Sequence, residues 1–393
     1  MKIAKRIMQG SEKNYGMFDK AARRFGNDPD VIHLELGKPF SDTPLSIKQA
    51  AADALMRGDV HYSDFQGLRE LREALAEKLV RQNKLDVTAD DVLVTNGLTH
   101  ASFASFFALV DEGDEVIMLA PYYPQHIGKI EMAGGVPVFV DLNKDDDFSI
   151  DIAAIEASIT KRTKIIVLVN PSNPTGRVHT REELQQLADL AIRHDLVVFA
   201  DEVYEDILYG EAQHISIGAL PGMKARTVSM YAFTKSYAMD GWRIGYLTAP
   251  ADMMPALMKI TTSDVTHVNT FIQAGALAAI TGPKHILDDL IEIDRKKRDV
   301  VVDALNRMPG VRCTLPAATM YAFADIRATG IASQTLAEMI LESARVVVES
   351  GSFYGTAGEG FLRVCFSGNA QETLIEGMRR LDAFFTDLQR TPQ

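Results

Sequence analysis

Two basic residues near the middle of the chain could carry out amine chemistry beside an anion. Lys235 closely follows an apolar run, and Arg243 lies eight residues later, between Gly241 and Gly245. A lysine held in a cleft near other cations has a lowered pKa, so its amine becomes a usable nucleophile. A guanidinium can bind an anion through two parallel hydrogen bonds. A lone lysine is nearly always a surface residue, and the combination with Arg243 is what indicates a site.

Two further charged residues stand in apolar surroundings. Asp201 directly follows the apolar run 196–200, where a buried carboxylate is costly unless it has a cationic partner. A helix N-cap is the plain alternative for Asp201. Arg363 lies within the apolar run 361–366, which contains no acid. Because a half-buried arginine needs an acidic partner, the carboxylate of a ligand is a natural candidate.

Two turns at predicted strand ends complete the set of candidate features. The segment from Asn170 to Gly176 has two Asn-Pro steps, which force an extended turn that aims the Asn173 amide at one point. At 94–100, Gly97 permits a tight turn before a helix, whose free N–H groups could bind an anion. This second signal is weak, because most strand–glycine–helix turns bind nothing. The chain has neither of the usual glycine-rich nucleotide-binding motifs.

The elements that would position these residues alternate through the middle of the chain. Between the predicted strands lie helix-period stretches, such as 67–83 with its leucine face and the helix that a capping box opens at Thr180. This alternation predicts an α/β fold, a three-layer sandwich with a mostly parallel central sheet and ligands at the carboxyl ends of its strands. Short apolar runs predict buried strands at 92–95, 115–119, 136–140, 164–169, 196–200 and 227–231.

The last third of the chain has a different pattern. A predicted helix at 283–308 contains the charged run 289–298, which is more often a solvated helix face than a binding site. Short strands and helices follow, and we predict a smaller α+β domain there. The expected division is an N-terminal segment at 1–45 that packs on the small domain, a large domain at 46–282 and a small C-terminal domain at 283–393.

The composition argues against several classes of protein. The 393 residues include 41 Lys and Arg against 53 Asp and Glu, a net charge of −12, with no basic run that would grip nucleic acid or an anionic membrane. Cys313 and Cys365 are too few for a disulfide scaffold and lack metal-ligand spacing, so we predict buried thiols and no metal site. Without a signal peptide or a run of about 18 apolar residues, we expect a cytoplasmic protein.

Taken in order, these motifs resemble the class I and II aminotransferases, fold type I enzymes of the aspartate aminotransferase superfamily that use pyridoxal 5′-phosphate (PLP). The resemblance extends from about Leu34 to Phe366, and the order and spacing of its motifs are highly specific. The motifs are Leu36-Gly37-Lys38-Pro39 with Asp42-Thr43-Pro44, Tyr62 with Gly67 and Leu71-Arg72, Asn170 to Gly176, Asp201 to Tyr204, Lys235 with Gly241 to Gly245, and Arg363.

The resemblance implies how the cofactor ring would be held. Lys235 would form the Schiff base with PLP and then move the proton between the substrate Cα and the cofactor. Asp201 would pair with the pyridine nitrogen, which makes the ring an electron sink. Asn173 and Tyr204 would hydrogen-bond the ring oxygen O3′, and Tyr123 would stack on the ring.

It also implies how the cofactor phosphate would be held. Arg243 would bind the phosphate together with the turn at Gly97 and the N–H groups near Leu98 and Thr99. Tyr62 would reach the phosphate of the neighbouring subunit, which implies a homodimer with shared active sites.

The resemblance gives the substrate a place as well. Arg363 would bind its α-carboxylate, helped by the Gly37 backbone. His126 stands where members often have a tyrosine, and we place it at the substrate side chain, with a packing or surface role as an equal alternative. Thr99 is not a cation, so nothing there selects aspartate.

We therefore expect a PLP-dependent aminotransferase that moves the amino group of an L-amino acid to a 2-oxo acid in a ping-pong cycle. The alternative is another PLP enzyme on the same scaffold, such as a β-lyase, a decarboxylating enzyme or an amino-acid oxidase, because the residues around the cofactor would look nearly identical. A non-catalytic binding module is disfavoured because Lys235, Asp201 and Arg363 are all present. The donor and the acceptor are left open.

Overall fold

The computed structural model describes residues 3, 4, 7 and 16–390. Much of the start of the predicted N-terminal segment, at 1, 2, 5, 6 and 8–15, lies outside the described residues, as do 391–393. A π-helix at Leu79–Asn83 continues α3. The α-helices are α1 (Met17–Phe25), α2 (Leu45–Arg57), α3 (Arg69–Lys78), α4 (Leu98–Leu109), α5 (Gln125–Met132), α6 (Ile152–Ser158), α7 (Arg181–Arg193), α8 (Phe233–Ser236), α9 (Met254–Asp264), α10 (Thr270–Thr281), α11 (His285–Leu305), α12 (Ser333–Ala344) and α13 (Gln371–Arg390).

The strands form a large sheet and two smaller ones. The strands are β1 (Ile32–His33), β2 (Val92–Thr95), β3 (Glu115–Ala120), β4 (Val136–Asp141), β5 (Thr163–Val169), β6 (Val197–Asp201), β7 (Thr227–Ala232), β8 (Gly245–Thr248), β9 (Arg312–Cys313), β10 (Tyr321–Asp325), β11 (Val346–Val347), β12 (Glu349–Ser350) and β13 (Phe361–Cys365). Seven of them form the central sheet, in the order β2-β8-β7-β6-β5-β3-β4.

The central sheet confirms the predicted α/β fold. All six predicted strands are present, within one or two residues of their expected bounds. The seventh strand, β8, was not predicted and pairs antiparallel with both β2 and β7. The other neighbours pair parallel. Since β8 runs the opposite way, it begins where β7 ends, and Gly245 pairs with Ala232.

Both faces of this sheet are covered by helices. Val116 and Met118 of β3 pack into a cluster that includes side chains of α4 and α9. Ile117 and Leu119 of the same strand pack into a second cluster, with side chains of α6 and α7. Because successive strand residues point to opposite faces and both faces are buried, these strands are unbroken apolar runs in the sequence.

The C-terminal part carries a four-stranded antiparallel sheet in the order β12-β13-β10-β9. The short strand β1 pairs parallel with β11, and α1 contacts α12. These contacts join the start of the described chain to its last third, although the division at about 45 and 283 stays a prediction. Cys313 and Cys365 are buried free thiols, as predicted.

The capping box at the start of α7 is confirmed. Thr180 Oγ1 accepts the Glu183 N–H at 3.2 Å, and Glu183 Oε2 accepts the Thr180 N–H at 2.8 Å. The expectation that 289–298 is a solvated face is wrong for its last two residues, because Lys297 and Arg298 are buried against backbone carbonyls of Ser367 and Pro316. Among the described helices, none has both the length and the apolar character needed to cross a membrane.

Candidate active site

Lys235 lies in the short helix α8, directly after β7 ends. Its Nζ donates a hydrogen bond to the carbonyl oxygen of Gly37. A Cβ at residue 37 would lie 2.0 Å from the hydroxyl oxygen of Tyr321, so only glycine lets this backbone pass. Burial lowers the pKa of Lys235 to about 8, and the nearby cations Arg363 and Arg243 also lower it. The amine is therefore far easier to deprotonate than an ordinary lysine amine.

Asp201 is the last residue of β6 and is buried. Its Oδ1 accepts the N–H of Val203 at 3.3 Å, and no α-helix begins there, so the N-cap alternative does not hold. Its Oδ2 lies 3.2 Å from Nε2 of His126, whose ring is completely buried. Burial lowers the pKa of His126. Of the two alternatives for His126, the structure thus favours packing, because the ring is buried against Asp201.

Arg363 is fixed from several sides within β13. Its Nη1 donates to Asn173 Oδ1 at 3.0 Å, and its Nη2 donates to the carbonyl oxygen of Glu35. The guanidinium carbon lies 4.3 Å from the ring centre of Tyr321 and 4.9 Å from that of Tyr354. Within the part of the chain that the structure describes, Arg363 Nε has no hydrogen-bond partner. A fixed, buried cation with an unused donor is suited to bind a carboxylate.

Arg243 and Gly97 come together at the start of α4. Both have a left-handed backbone, with φ of +54° at Arg243 and +80° at Gly97. A Cβ at Gly97 would lie 2.7 Å from Arg243 Nη2. The N-terminus of a helix carries partial positive charge, so a guanidinium beside it is favourable only when an anion shares the site. Leu98 and Thr99 are the first two residues of that helix.

The sequence and structure comparisons identify the family to which the chain belongs. The sequence model of the family "Aminotransferase class I and II" matches residues 29–381. The chain belongs to this family. It is an aminotransferase, and its relatives include enzymes named for several amino acids.

Two relatives illustrate the range of its family. This aminotransferase is 35% identical over 394 residues to the "Aspartate aminotransferase" of Musicola paradisiaca (strain Ech703), covering 100% of this chain and 98% of that one. It is 37% identical over 358 residues to the "Probable aspartate/prephenate aminotransferase" of Aquifex aeolicus (strain VF5), covering 90% of each.

Solved structures give the same result. The aromatic aminotransferase from Pyrococcus horikoshii OT3 is 35% identical, with a TM-score of 0.89, covering 94% of this chain and 100% of that chain. The Thermus thermophilus aspartate aminotransferase with maleate is 33% identical, with a TM-score of 0.90, covering 98% of this chain and 99% of that chain.

Most of the expected site residues of this aminotransferase lie together at the carboxyl end of its central sheet. The ring of Tyr123 packs edge-on against His126, with 5.2 Å between ring centres. Burial raises the pKa of its hydroxyl, Asp201 also raises it, and Arg363 and Arg243 lower it. The Tyr204 hydroxyl lies 2.8 Å from that of Tyr321. The residues brought together are Gly37, Gly97, Leu98, Thr99, Tyr123, His126, Asn173, Asp201, Tyr204, Lys235, Arg243 and Arg363.

Tyr62 is the exception among the expected residues. Its side chain is 81% exposed and touches the edge of His267, at 5.0 Å between ring centres. In this chain, its side chain lies outside the cluster described above.

Sequence reasoning missed four residues around Arg363. Tyr321 and Tyr354 stack on its guanidinium, and Glu35 contributes a backbone carbonyl. The fourth is Glu349, a buried acid on β12 that pairs across the sheet with Arg363. The sequence offered a signal only for Glu35 and Glu349, which are acids next to short apolar runs, and such a signal does not say that distant segments meet.

Proposed function

We propose that this aminotransferase binds PLP at the carboxyl end of its sheet and transfers the amino group of an L-amino acid to a 2-oxo acid. The supporting observation is one amine of lowered pKa, Lys235, under the electrostatic influence of two separate arginines. Two arginines near one nucleophile could bind two anions, which suits a phosphate cofactor and a substrate carboxylate. When bound, PLP supplies an aldehyde that accepts an amine and a ring that withdraws electrons from the substrate Cα.

The residues present fit this cofactor. Arg243 and the first turn of α4 after Gly97 would hold the phosphate, because both present positive charge to the same point. Asp201 would keep a proton on the ring nitrogen, and the His126 contact would fix the direction of its carboxylate. Asn173 and Tyr204 would donate hydrogen bonds to the ring oxygen.

The substrate would be bound and deprotonated by two residues. Arg363 would hold the α-carboxylate through its fixed guanidinium, which stacking on two tyrosine rings keeps in one plane. Lys235 would hold the cofactor through its amine until the substrate amine takes its place, and the freed amine would then act as a general base on the substrate Cα. It would pass that proton to the cofactor in the first half of the ping-pong cycle and move a proton from the cofactor to the Cα of the new amino acid in the second half.

We propose a cytoplasmic homodimer with Tyr62 contributed to the neighbouring site. In the chain segment 45–65, which includes Tyr62, large apolar side chains are exposed at Leu45 (73%), Met56 (85%) and Phe65 (51%). Exposed apolar residues this close together in the chain are typical of a surface that another subunit covers.

The test is a panel of the common L-amino acids, each offered with pyruvate or with 2-oxoglutarate. We expect PLP-dependent formation of the amino acid that corresponds to the acceptor, and no product from Lys235→Ala. Ammonia release or oxygen uptake without an acceptor would replace transamination with a lyase or oxidase reaction. Failure of the wild type to bind PLP would refute the proposal entirely.

A further inference from the structure

A second group of charged side chains lies buried behind the candidate active site. We call it the polar cluster, and its members come from the end of α3, the π-helix, the residue after β6 and the segment 205–216. Each member is almost completely shielded from solvent. The polar cluster consists of Lys78, Asn83, Glu202, Glu205, His214 and Ser216.

Each acid of the cluster is hydrogen-bonded to a basic side chain within it. Lys78 Nζ donates to Glu205 and, at 3.0 Å, to Asn83 Oδ1. His214 Nε2 lies 2.8 Å from Glu202 Oε2, the same oxygen that accepts the Ser216 hydroxyl. Each buried carboxylate thus has a basic partner, which burial of an ion requires.

A metal ion is the alternative occupant, because ligand atoms of Glu202, Glu205 and His214 lie within 4.8 Å of one another. The Lys78 ammonium already supplies the positive charge next to Glu205. A divalent ion would have to displace it.

One side-chain contact joins the cluster to the turn that carries Asn173. His214 Nδ1 lies 3.5 Å from Nδ2 of Asn170, the first residue of the turn that carries Asn173. The Asn170 N–H also donates to the carbonyl oxygen of Asp201 at 3.1 Å. Its Oδ1 accepts the His179 N–H at 3.1 Å, which fixes the direction of the amide and leaves Nδ2 between the imidazole and the carbonyl oxygen of Ile215, each 3.5 Å away.

The protonation of His214 decides whether this contact holds. With its proton on Nε2, directed at Glu202, the ring offers Nδ1 as an acceptor to the Asn170 amide. A second proton on Nδ1 would place two donors face to face. The charged groups that face His214 are Glu202 and Glu205, which favour the second proton, and Lys78, which opposes it.

We propose that His214 is a positioning residue, which in its neutral form holds the Asn170–Asn173 turn so that Asn173 faces the cofactor and Arg363. This inference rests on the proposed function, because it assigns His214 to the PLP site. His214 acts through Asn170 and touches neither substrate nor cofactor.

Two amide substitutions separate the two contacts of the ring. Asn at 214 can place its oxygen near the position of Nδ1, whereas Gln can place its nitrogen near the position of Nε2. His214→Asn should therefore keep the contact with Asn170 and lose that with Glu202, and His214→Gln the reverse. Loss of one hydrogen bond corresponds to roughly a fivefold weaker affinity.

The readout is the PLP dissociation constant, from absorbance titration of the full-length apoprotein. We expect about fivefold weaker binding for His214→Gln and binding within about twofold of wild type for His214→Asn. The matched control is His194→Gln, since His194 also pairs with a glutamate, at 3.1 Å from Glu156, but lies outside the site. Wild-type affinity in His214→Gln, or equal losses in both variants, would overturn the inference, as would a stoichiometric metal ion in the purified protein.

The direction in which PLP affinity changes with pH provides a second test if His214→Gln does not fold. Burial lowers the pKa of His214, but Glu202 and Glu205 raise it, with a net increase above 6.5. The wild-type affinity, relative to His214→Asn, should thus fall as the pH is lowered from 9 to 6. Asn170→Asp turns the facing donor into an acceptor, and the trend should reverse; the same trend in both proteins would contradict the inference. If the wild type does not bind PLP at all, the proposed function fails first.

Discussion

Replacing Arg363 with lysine tests how the site binds a carboxylate. The variant keeps the positive charge but loses the planar group with its several fixed donors. In the structure, Nη1 and Nη2 are used by Asn173 and Glu35, while Nε has no partner among the described residues. The guanidinium lies over the ring of Tyr321, 4.3 Å from the ring centre, and this contact restricts its orientation. A lysine ammonium would offer the carboxylate a positive charge but no oriented pair of hydrogen-bond donors.

The expected size follows from the hydrogen bonds that are lost. A hydrogen bond to a charged group contributes about 1.5–3 kcal/mol, and about 1.4 kcal/mol corresponds to a factor of ten. Arg363→Lys should therefore lower kcat/KM for the amino acid by roughly 10- to 100-fold. Because the carboxylate is bound before and during the reaction, the loss should appear mainly as a raised KM.

Steady-state kinetics with a varied amino acid and a fixed 2-oxo acid measure this effect, and absorbance titration measures PLP affinity separately. The matched control is Arg327→Lys, since Arg327 also stacks on an aromatic ring, with its guanidinium 5.4 Å from the Phe361 ring centre, and pairs with Asp325. A folded Arg363→Lys variant with a KM within about twofold of wild type would refute the carboxylate assignment.

Three further predictions concern acid–base and backbone properties. Burial lowers the pKa of Lys235 to about 8, so the rate of PLP uptake by the apoprotein should rise as the pH passes through about 8 and then level off. Stopped-flow absorbance measures this rate, and a rate that does not change with pH would contradict the prediction. Burial raises the pKa of Glu349 to about 7, so the free energy of unfolding should fall by up to about 3 kcal/mol between about pH 4.5 and 7. Glu349→Gln should lack this loss. If the fall in Tm from pH 5 to pH 8 is the same in wild type and Glu349→Gln, the prediction is disproved. Gly97→Ala should lower Tm and weaken PLP binding, because its Cβ would lie 2.7 Å from Arg243, whereas Gly58→Ala, also at positive φ but with no atom within 4 Å, should lower Tm only. Equal PLP affinities in the two variants would argue against a phosphate site at Gly97.

The central sheet could be predicted because its strands are buried on both faces. Each parallel strand is an apolar run that ends in turn residues, and such a run needs no partner to be recognised. Strand β8 was missed because it has only four residues and its first, Gly245, is also the last residue of the Gly-Trp-Arg-Ile-Gly segment, where only an anion site was expected.

The surroundings of individual side chains could not be predicted in the same way. His126 was assigned from its place after Tyr123, but position along a chain does not fix the direction of a side chain. Its ring points into the sheet toward Asp201, where burial and a carboxylate can both be satisfied. Tyr321 and Glu349 lie on the strands that flank Arg363, and only the pairing register of β10 and β12 brings them there.

The reversed strand β8 has an evolutionary consequence. Because Ala232 and Gly245 pair at the same end of the sheet, the 12 residues between them leave and re-enter at one place, and this single connection carries Lys235 and Arg243. Arg363, by contrast, belongs to a different sheet. If Arg363 binds the substrate as proposed, mutations in the second sheet could change its position without changing the spacing of Lys235 and Arg243, which lie on one short connection.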